Sequence, residues 1–159
     1  MIVVADSGPI HYLVLIGDIN VMHPLFGRVL IPEAVHRELA RSATPAAVSH
    51  WIRSLPSWAE IHSVPTMPEA RLERLGPGEQ EAILLAREVS ADYLLIDDAR
   101  GRFLAEAQHV RTIGTIGILR SASTDGLIDF RHSFDKLMAT NFRISSAFRR
   151  QILEEFEEK

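Results

Sequence analysis

The 159-residue chain contains no cysteine. That excludes a disulfide framework, a thiolate metal site and a cysteine nucleophile, and it suits a reducing compartment such as the cytoplasm. No apolar run approaches the ~18 to 20 residues that a membrane span needs. The first strand-like stretch begins at Ile2 without a basic leader, so neither a signal peptide nor a transit peptide is expected. Nor is there an excess of positive charge: 17 basic residues face 21 acidic ones, for a net charge of −4. A polyanion binder with a uniformly basic surface is thereby excluded, whereas a nucleic-acid enzyme rich in metal-binding carboxylates is not. The seven histidines are scattered, and none falls in an HExxH spacing. GxSxG and Walker A sequences are missing too. Gly114-Thr115-Ile116-Gly117 is not a dinucleotide fingerprint, which needs GxGxxG after the first strand.

What is present alternates between two kinds of segment. At this length one domain, spanning 1–159, buries a sizeable core without staples. Apolar runs of strand type occur over Met1–Ala5, Arg28–Ile31, Tyr93–Ile96 and His109–Ile113. A further strand is expected over Trp58–Val64, with Ile61 pointing inward. Helical patterns separate them. Ser7 or Gly8 is expected to cap a helix through Leu15 with Pro9 in its first turn, and Asp18 a short one over Ile19–Leu25. Pro32 opens the next, through Ala40, where Val35 and Leu39 form a buried stripe bordered by Glu38. Ala46–Leu55 and Glu69–Leu75 read as helices, with a loop over Pro65–Pro68 between strand and helix. Gly76-Pro77-Gly78 launches the strongest pattern, Glu79–Val89, striped by Ala82, Ile83, Leu85, Ala86 and Val89. Helices follow over Ala99–Ala107 and from Gly114-Thr115 through Leu119. Two more close the chain at about 130–157, one striped by Phe130, Phe134, Leu137 and Met138, the other by Phe148, Ile152 and Phe156. This alternation predicts an α/β fold in three layers, a central parallel sheet of about four or five strands flanked by helices.

The acids stand where such a fold does chemistry. Leu94-Leu95-Ile96 runs directly into Asp97-Asp98, and the first strand runs into Asp6. In open α/β sheets ligands bind outside the carboxyl ends of the strands, so both acids are expected at one edge. Asp98 either points with Asp97 or caps the helix behind it. Glu38 on the third strand-linked helix, and Glu79 and Glu81 at the start of the long one, offer further carboxylates. Each also has a plain structural use. Glu79 and Glu81 complement a helix dipole, worth roughly 0.3 to 1 kcal/mol apiece, and Glu38 can pair with Arg41. Asp6 is harder to explain in that way, because Ser7 is already available as a cap. Carboxylates gathered at one edge repel one another, and Mg2+ or Mn2+ is the ordinary means of holding them. Such a site serves phosphoryl chemistry. Arg100 and Arg102, beside the acidic edge, either contact phosphate, face solvent or neutralise Glu106.

In order, VVADSGPI, VLIPEAVHREL, LGPGEQEAILLA, LLIDDARGR and RTIGTIGIL followed by DGLI span residues 2 to 129. This ordered set resembles the PIN domain, and is most similar to the toxin ribonucleases of VapBC-type toxin–antitoxin pairs. The resemblance implies a Mg2+- or Mn2+-dependent ribonuclease that cleaves single-stranded RNA. Asp6, Glu38 and Asp97 would be catalytic acids, with Asp98 joining Asp6 and Asp97 as a metal ligand. The acid at the helix start would be Glu79 or Glu81, where the family more often has Asp. Ser7 matches a hydroxyl position near the metal, and Arg100 and Arg102 are candidate RNA contacts. A homodimer and inhibition by a small antitoxin are also implied. The alternative is a PIN-like module that binds protein or RNA without cutting it, and a magnesium-dependent phosphatase is disfavoured because Asp6 is not followed by a second acid at position 8.

Overall fold

A computed structural model of the chain describes residues 1–65 and 69–157. Most of the loop expected over Pro65–Pro68, and the last two residues of the expected domain, lie outside the described residues. The strands are β1 (Ile2–Ala5), β2 (Arg28–Pro32), β3 (Ala59–His62), β4 (Tyr93–Leu95) and β5 (Thr112–Ile113). They form one five-stranded sheet in the order β3-β2-β1-β4-β5, with every neighbouring pair parallel. Parallel neighbours cannot be joined by tight hairpins, so the chain crosses over through helices. These are α1 (Ser7–Leu15), α2 (Met22–Phe26), α3 (Glu33–Leu39), α4 (Ala46–Arg53), α5 (Pro77–Glu88), α6 (Ala99–Ala107), α7 (Thr115–Thr124), α8 (Phe130–Met138) and α9 (Ser146–Glu157). The α/β architecture expected from the alternation is the one observed.

The unbroken apolar strands follow from burial on both faces of the sheet. Val3, Ala5, Val29, Ile31 and Leu95 point into one core, where they meet Leu13 of α1, Ile52 of α4, Leu119 of α7 and Phe134 of α8. Val4, Leu30, Leu94 and Ile96 point the other way, against Ile83 and Leu85 of α5 and Ala105 of α6. A fully buried side chain of this size contributes roughly 1.5 to 3 kcal/mol, so a charged residue at Val4, which is 0% exposed, would break the α5 layer. The last two helices belong to the first core. Ile152 of α9 is 0% exposed, and the Phe130 ring stacks on Phe156 with centroids 3.6 Å apart.

Several boundaries differ from the sequence expectation, each for a local reason. Helix α1 begins at Ser7 itself, which leaves Asp6, not Ser7 or Gly8, in the cap position. Asp18 does not cap the turn after it; its carboxylate accepts the Ser133 hydroxyl at 2.7 Å. Helix α5 starts at Pro77, whose missing N–H costs nothing in a first turn. The stretch from Glu69 yields only a single 3-10 turn, Ala70–Leu72, while α7 runs on to Thr124, past Leu119. Strand β5 is short because His109 has a φ of 65°, outside the extended region. Ile61 is 40% exposed instead of inward-facing. It lies on an edge strand, which has a neighbour on one side only.

Candidate active site

From β1 the chain steps outward to β2 and β3, then returns to β4 and β5 on the other side. The reversal falls between β1 and β4, the crevice in which doubly wound sheets bind ligands. Ala5 pairs with Leu95, and the Asp6 amide donates to the Leu95 carbonyl at 2.9 Å. Asp6 and Asp97 therefore leave adjacent strands at almost the same level.

Asp6 occupies the cap position of α1 with extended backbone, φ −80° and ψ 171°, yet its side chain makes no capping bond. An aspartate there ordinarily accepts an amide of the first helical turn. Here the residue is 4% exposed, and its Oδ1 is buried without any hydrogen-bond partner. Burial raises its carboxyl from 3.8 to about 7; the Ser7 amide offsets part of this, while Glu79, Glu38 and Asp97 push it further up. A buried carboxylate left unsatisfied among like charges costs stability. That expense at a crevice is the mark of a functional group.

Asp97 is held rigidly. Its Oδ1 accepts the Thr115 amide at 2.7 Å, and its Oδ2 accepts the Thr115 hydroxyl at 2.6 Å. Thr115, 0% exposed, opens α7, so Asp97 takes up one of the free amides at that helix start. Burial raises the Asp97 carboxyl above its ordinary range, against the lowering effects of the two Thr115 bonds and the nearby Arg102 charge. Thr115 is the site residue that sequence reasoning missed. The signal lay in the RTIGTIGIL segment, where a hydroxyl follows a glycine at the end of a strand.

The structure separates the two glutamates of α5. Glu81, 9% exposed, turns away to accept the Ala34 amide in the first turn of α3 at 3.0 Å, with Arg37 3.8 Å off. Glu79 stays with the acids. Its Oε2 accepts the Gly76 amide at 2.8 Å, and its carboxyl is raised by burial first, then by Asp98 and Glu38. Glu38 makes no ion pair with Arg41 among the described residues; its Oε1 instead lies 3.4 Å from the Ser7 hydroxyl. Ser7 thus bridges from the Asp6 helix to Glu38. Asp98 caps α6, with Oδ2 accepting the Gly101 amide at 2.7 Å, which leaves Oδ1 as its uncommitted oxygen. Arg100 and Arg102 diverge. Arg102 lines the same cleft as Asp97, whereas Arg100 lines a separate concavity with Arg71, Arg74 and Phe103. Neither pairs with Glu106, which accepts the Thr112 hydroxyl at 2.7 Å.

Glycine makes room for this arrangement. A Cβ on Gly78 would stand 2.8 Å from Glu38 Oε2 and 3.6 Å from Asp6 Oδ1, and one on Gly8 would stand 3.0 Å from Asp97 Oδ2. The carboxylates are packed against bare backbone. Among the described residues no three acids or histidines are already gathered into a ligand set. Carboxylates that share a crevice repel, and two of these, Glu38 and Glu79, sit on flexible side chains. The orphaned Asp6 Oδ1, the opposed Asp97 and the surrounding acids are the hard oxygen donors that Mg2+ or Mn2+ takes. The donor chemistry fits such an ion.

A parallel α/β sheet with acids converging on its switch point defines a class of acidic-crevice proteins. Within that class, residues 2–158 match the family model described as DUF3368, PIN domain. The chain belongs to the PIN-domain family. It is also similar in structure to a PilT N-terminus domain protein from the hyperthermophilic archaeon Sulfolobus solfataricus. The TM-score is 0.55 at 17% identity, covering 77% of this chain and 93% of that one. At that identity the likeness concerns the fold alone. No curated protein sequence matches the chain. Among the described residues no helix is long and apolar enough to cross a membrane.

Proposed function

We propose that the protein is a metal-dependent endoribonuclease that cleaves phosphodiester bonds of single-stranded RNA. Membership of a family whose domains are typically nucleases supports this reading, and the observation that carries it is Asp6. It is a buried carboxylate in a cap position that caps nothing, facing three other acids. Asp6 and Asp97 would hold Mg2+ or Mn2+, with Glu38 and Glu79 completing the donor set and Asp98 contributing through its free oxygen. When bound, the ion supplies Lewis-acid polarisation of a phosphoryl oxygen and a water activated for in-line attack. Thr115 fixes the Asp97 carboxylate, Ser7 orients Glu38, and Gly78 lets both Glu38 and Asp6 approach the crevice. Arg102, beside Asp97, would meet the substrate phosphate.

A role as the toxin of a toxin–antitoxin pair, working in the cytoplasm as a homodimer restrained by a small antitoxin, extends the same proposal on sequence resemblance. The decisive experiment is cleavage of a fluorescent single-stranded RNA with Mn2+, by wild type, Asp6→Asn and Asp97→Asn. Cleavage should need the metal and fall by at least ~100-fold in both variants, with circular dichroism unchanged. Undiminished cleavage in folded variants refutes the assignment. Retained RNA or protein binding with no cleavage by wild type at high concentration would favour a non-cutting PIN-like module.

A further inference from the structure

Next to the acids lies a cleft of about 790 Å3 that they do not account for. Asp97 and Asp98 are among its lining residues. The lining also carries positive charge, because Arg102, Arg120 and Arg143 border the same space, Arg102 of them beside Asp97. Arg102 and Arg143 make no ion pair or hydrogen bond among the described residues. Arg120 is held by Glu155 of α9 at 2.8 Å, yet its Nε has no acceptor. Arg102 and Arg143 are exposed and free to meet an anion, the buried Arg120 Nε lacks an acceptor, and the planar forks of all three suit phosphate.

The same cleft carries aromatic and apolar surface. Tyr12 packs edge-on against Phe142, with centroids 4.9 Å apart and an interplanar angle of 84°. Its hydroxyl donates to Asn141 Oδ1 at 2.9 Å, tying α1 to the segment before α9. Phe148, on the first turn of α9, is 37% exposed. Its amide donates to the Ser145 hydroxyl at 3.0 Å, which fixes that turn and so places the ring. Of these rings only Phe148 is exposed, and an exposed ring near arginines is how single strands are held: bases stack and phosphates pair. The volume also lies within the range of small-molecule sites, roughly 300 to 1,000 Å3.

We propose that this cleft is a nucleotide-binding subsite, in which Arg102 and Arg143 hold a phosphate while the base stacks on Phe148. Its place in catalysis rests on the ribonuclease reading: the nucleotide bound there would be the neighbour of the one at the acids. The division of charge gives the subsite its purpose. Acids repel every phosphate of an approaching strand except the one that a cation neutralises, and arginines one step away draw in the next. Register is set by the contrast.

Titration of adenosine and uridine 5′-monophosphate into the protein in EDTA, followed by calorimetry and by amide shifts, tests this without any turnover. Nucleotide affinity should fall ~10-fold in Arg143→Ala, for loss of a charge-assisted contact, and in Phe148→Ala. It should be unchanged in Arg149→Ala, a control for net charge on the helix that carries Phe148. Inorganic phosphate should bind at least ~10-fold more weakly than either nucleotide. No nucleotide binding at millimolar concentration overturns the proposal. So does inorganic phosphate binding as tightly as the nucleotides, which would make the cleft an anion site only, or an equal loss in Arg149→Ala. Binding of an acidic peptide in preference to the nucleotides would assign the face to a protein partner and overturn it too. Nucleotide binding without metal-dependent RNA cleavage would keep the subsite and remove the nuclease reading, whereas cleavage without nucleotide binding would do the reverse.

Discussion

Replacing Asp6 by Asn should make the metal-free protein more stable while abolishing its metal response. In the folded state the Asp6 carboxyl is raised from 3.8 to about 7, chiefly by burial. A folded pKa above the unfolded one means that the native state holds the proton more tightly. Stability is therefore highest below the unfolded value, declines as pH rises between the two, and levels off above the folded value. At 1.36 kcal/mol per pH unit, a rise of that size costs at most about 4 kcal/mol at pH 8. Asn removes the ionisation but remains a buried polar group, so we expect a net gain of about 2 kcal/mol. Urea unfolding at a series of pH values in EDTA is the assay. Near pH 3 the variant should be about 2 kcal/mol less stable than wild type, and the difference should reverse and grow in its favour up to about pH 7. Adding Mn2+ should then stabilise wild type by mass action and leave the variant unchanged. Parallel curves with no widening gap, or a variant less stable at pH 8, would refute the claim that Asp6 is held under electrostatic strain.

Thr115→Val keeps the shape but removes the hydroxyl from Asp97; Mn2+ affinity measured by calorimetry should drop ~10-fold or more, as for outer-shell partners generally. Gly78→Ala puts a methyl 2.8 Å from Glu38 Oε2, so RNA cleavage should fall by at least ~10-fold, with secondary structure by circular dichroism retained. The two α5 glutamates should separate cleanly: Glu79→Gln should depress metal-dependent cleavage. Glu81→Gln should instead cost about 1 kcal/mol in urea unfolding, through the weakened α3 contact, with cleavage kept. Because Asp6 must ionise to hold a cation, cleavage rate against pH should climb through neutrality towards the region of about 7 and above at limiting Mn2+, and a flat profile from pH 5 to 8 would count against it.

The strands and the two strand-terminal acids were legible because they are local facts. MIVVA and YLLI are apolar on both pleats, which only a sheet covered on both faces requires, and an acid at the end of such a run has few other uses. The long helix was legible for the same reason, and Ala82, Ile83, Leu85 and Ala86 are all buried in it. What the sequence did not show depends on contacts between distant segments. Whether Glu79 or Glu81 joins the crevice is decided by α3, whose Ala34 amide claims Glu81 across 47 positions. Thr115 matters only because β5 brings it within reach of Asp97. Asp98 had two uses compatible with its position, and the Gly101 amide takes one of its oxygens. Ile61 has the composition of a core residue, and only the sheet order shows that its strand lies on an edge.

The hydrogen bond from the Asp6 amide to the Leu95 carbonyl sets a schedule as well as a position. Strand β1 precedes every other strand in the chain, yet one of its two partners is β4, about ninety residues later. Contacts of such separation form late in folding, after much chain has been made and collapsed. On the ribosome, Asp6, Glu38 and Glu79 all emerge before the Asp97 segment that completes the crevice. A nascent or truncated chain that stops short of β4 has half of the acidic crevice, and no activity that depends on both halves. Any function that needs both acids is thereby withheld until the fold closes.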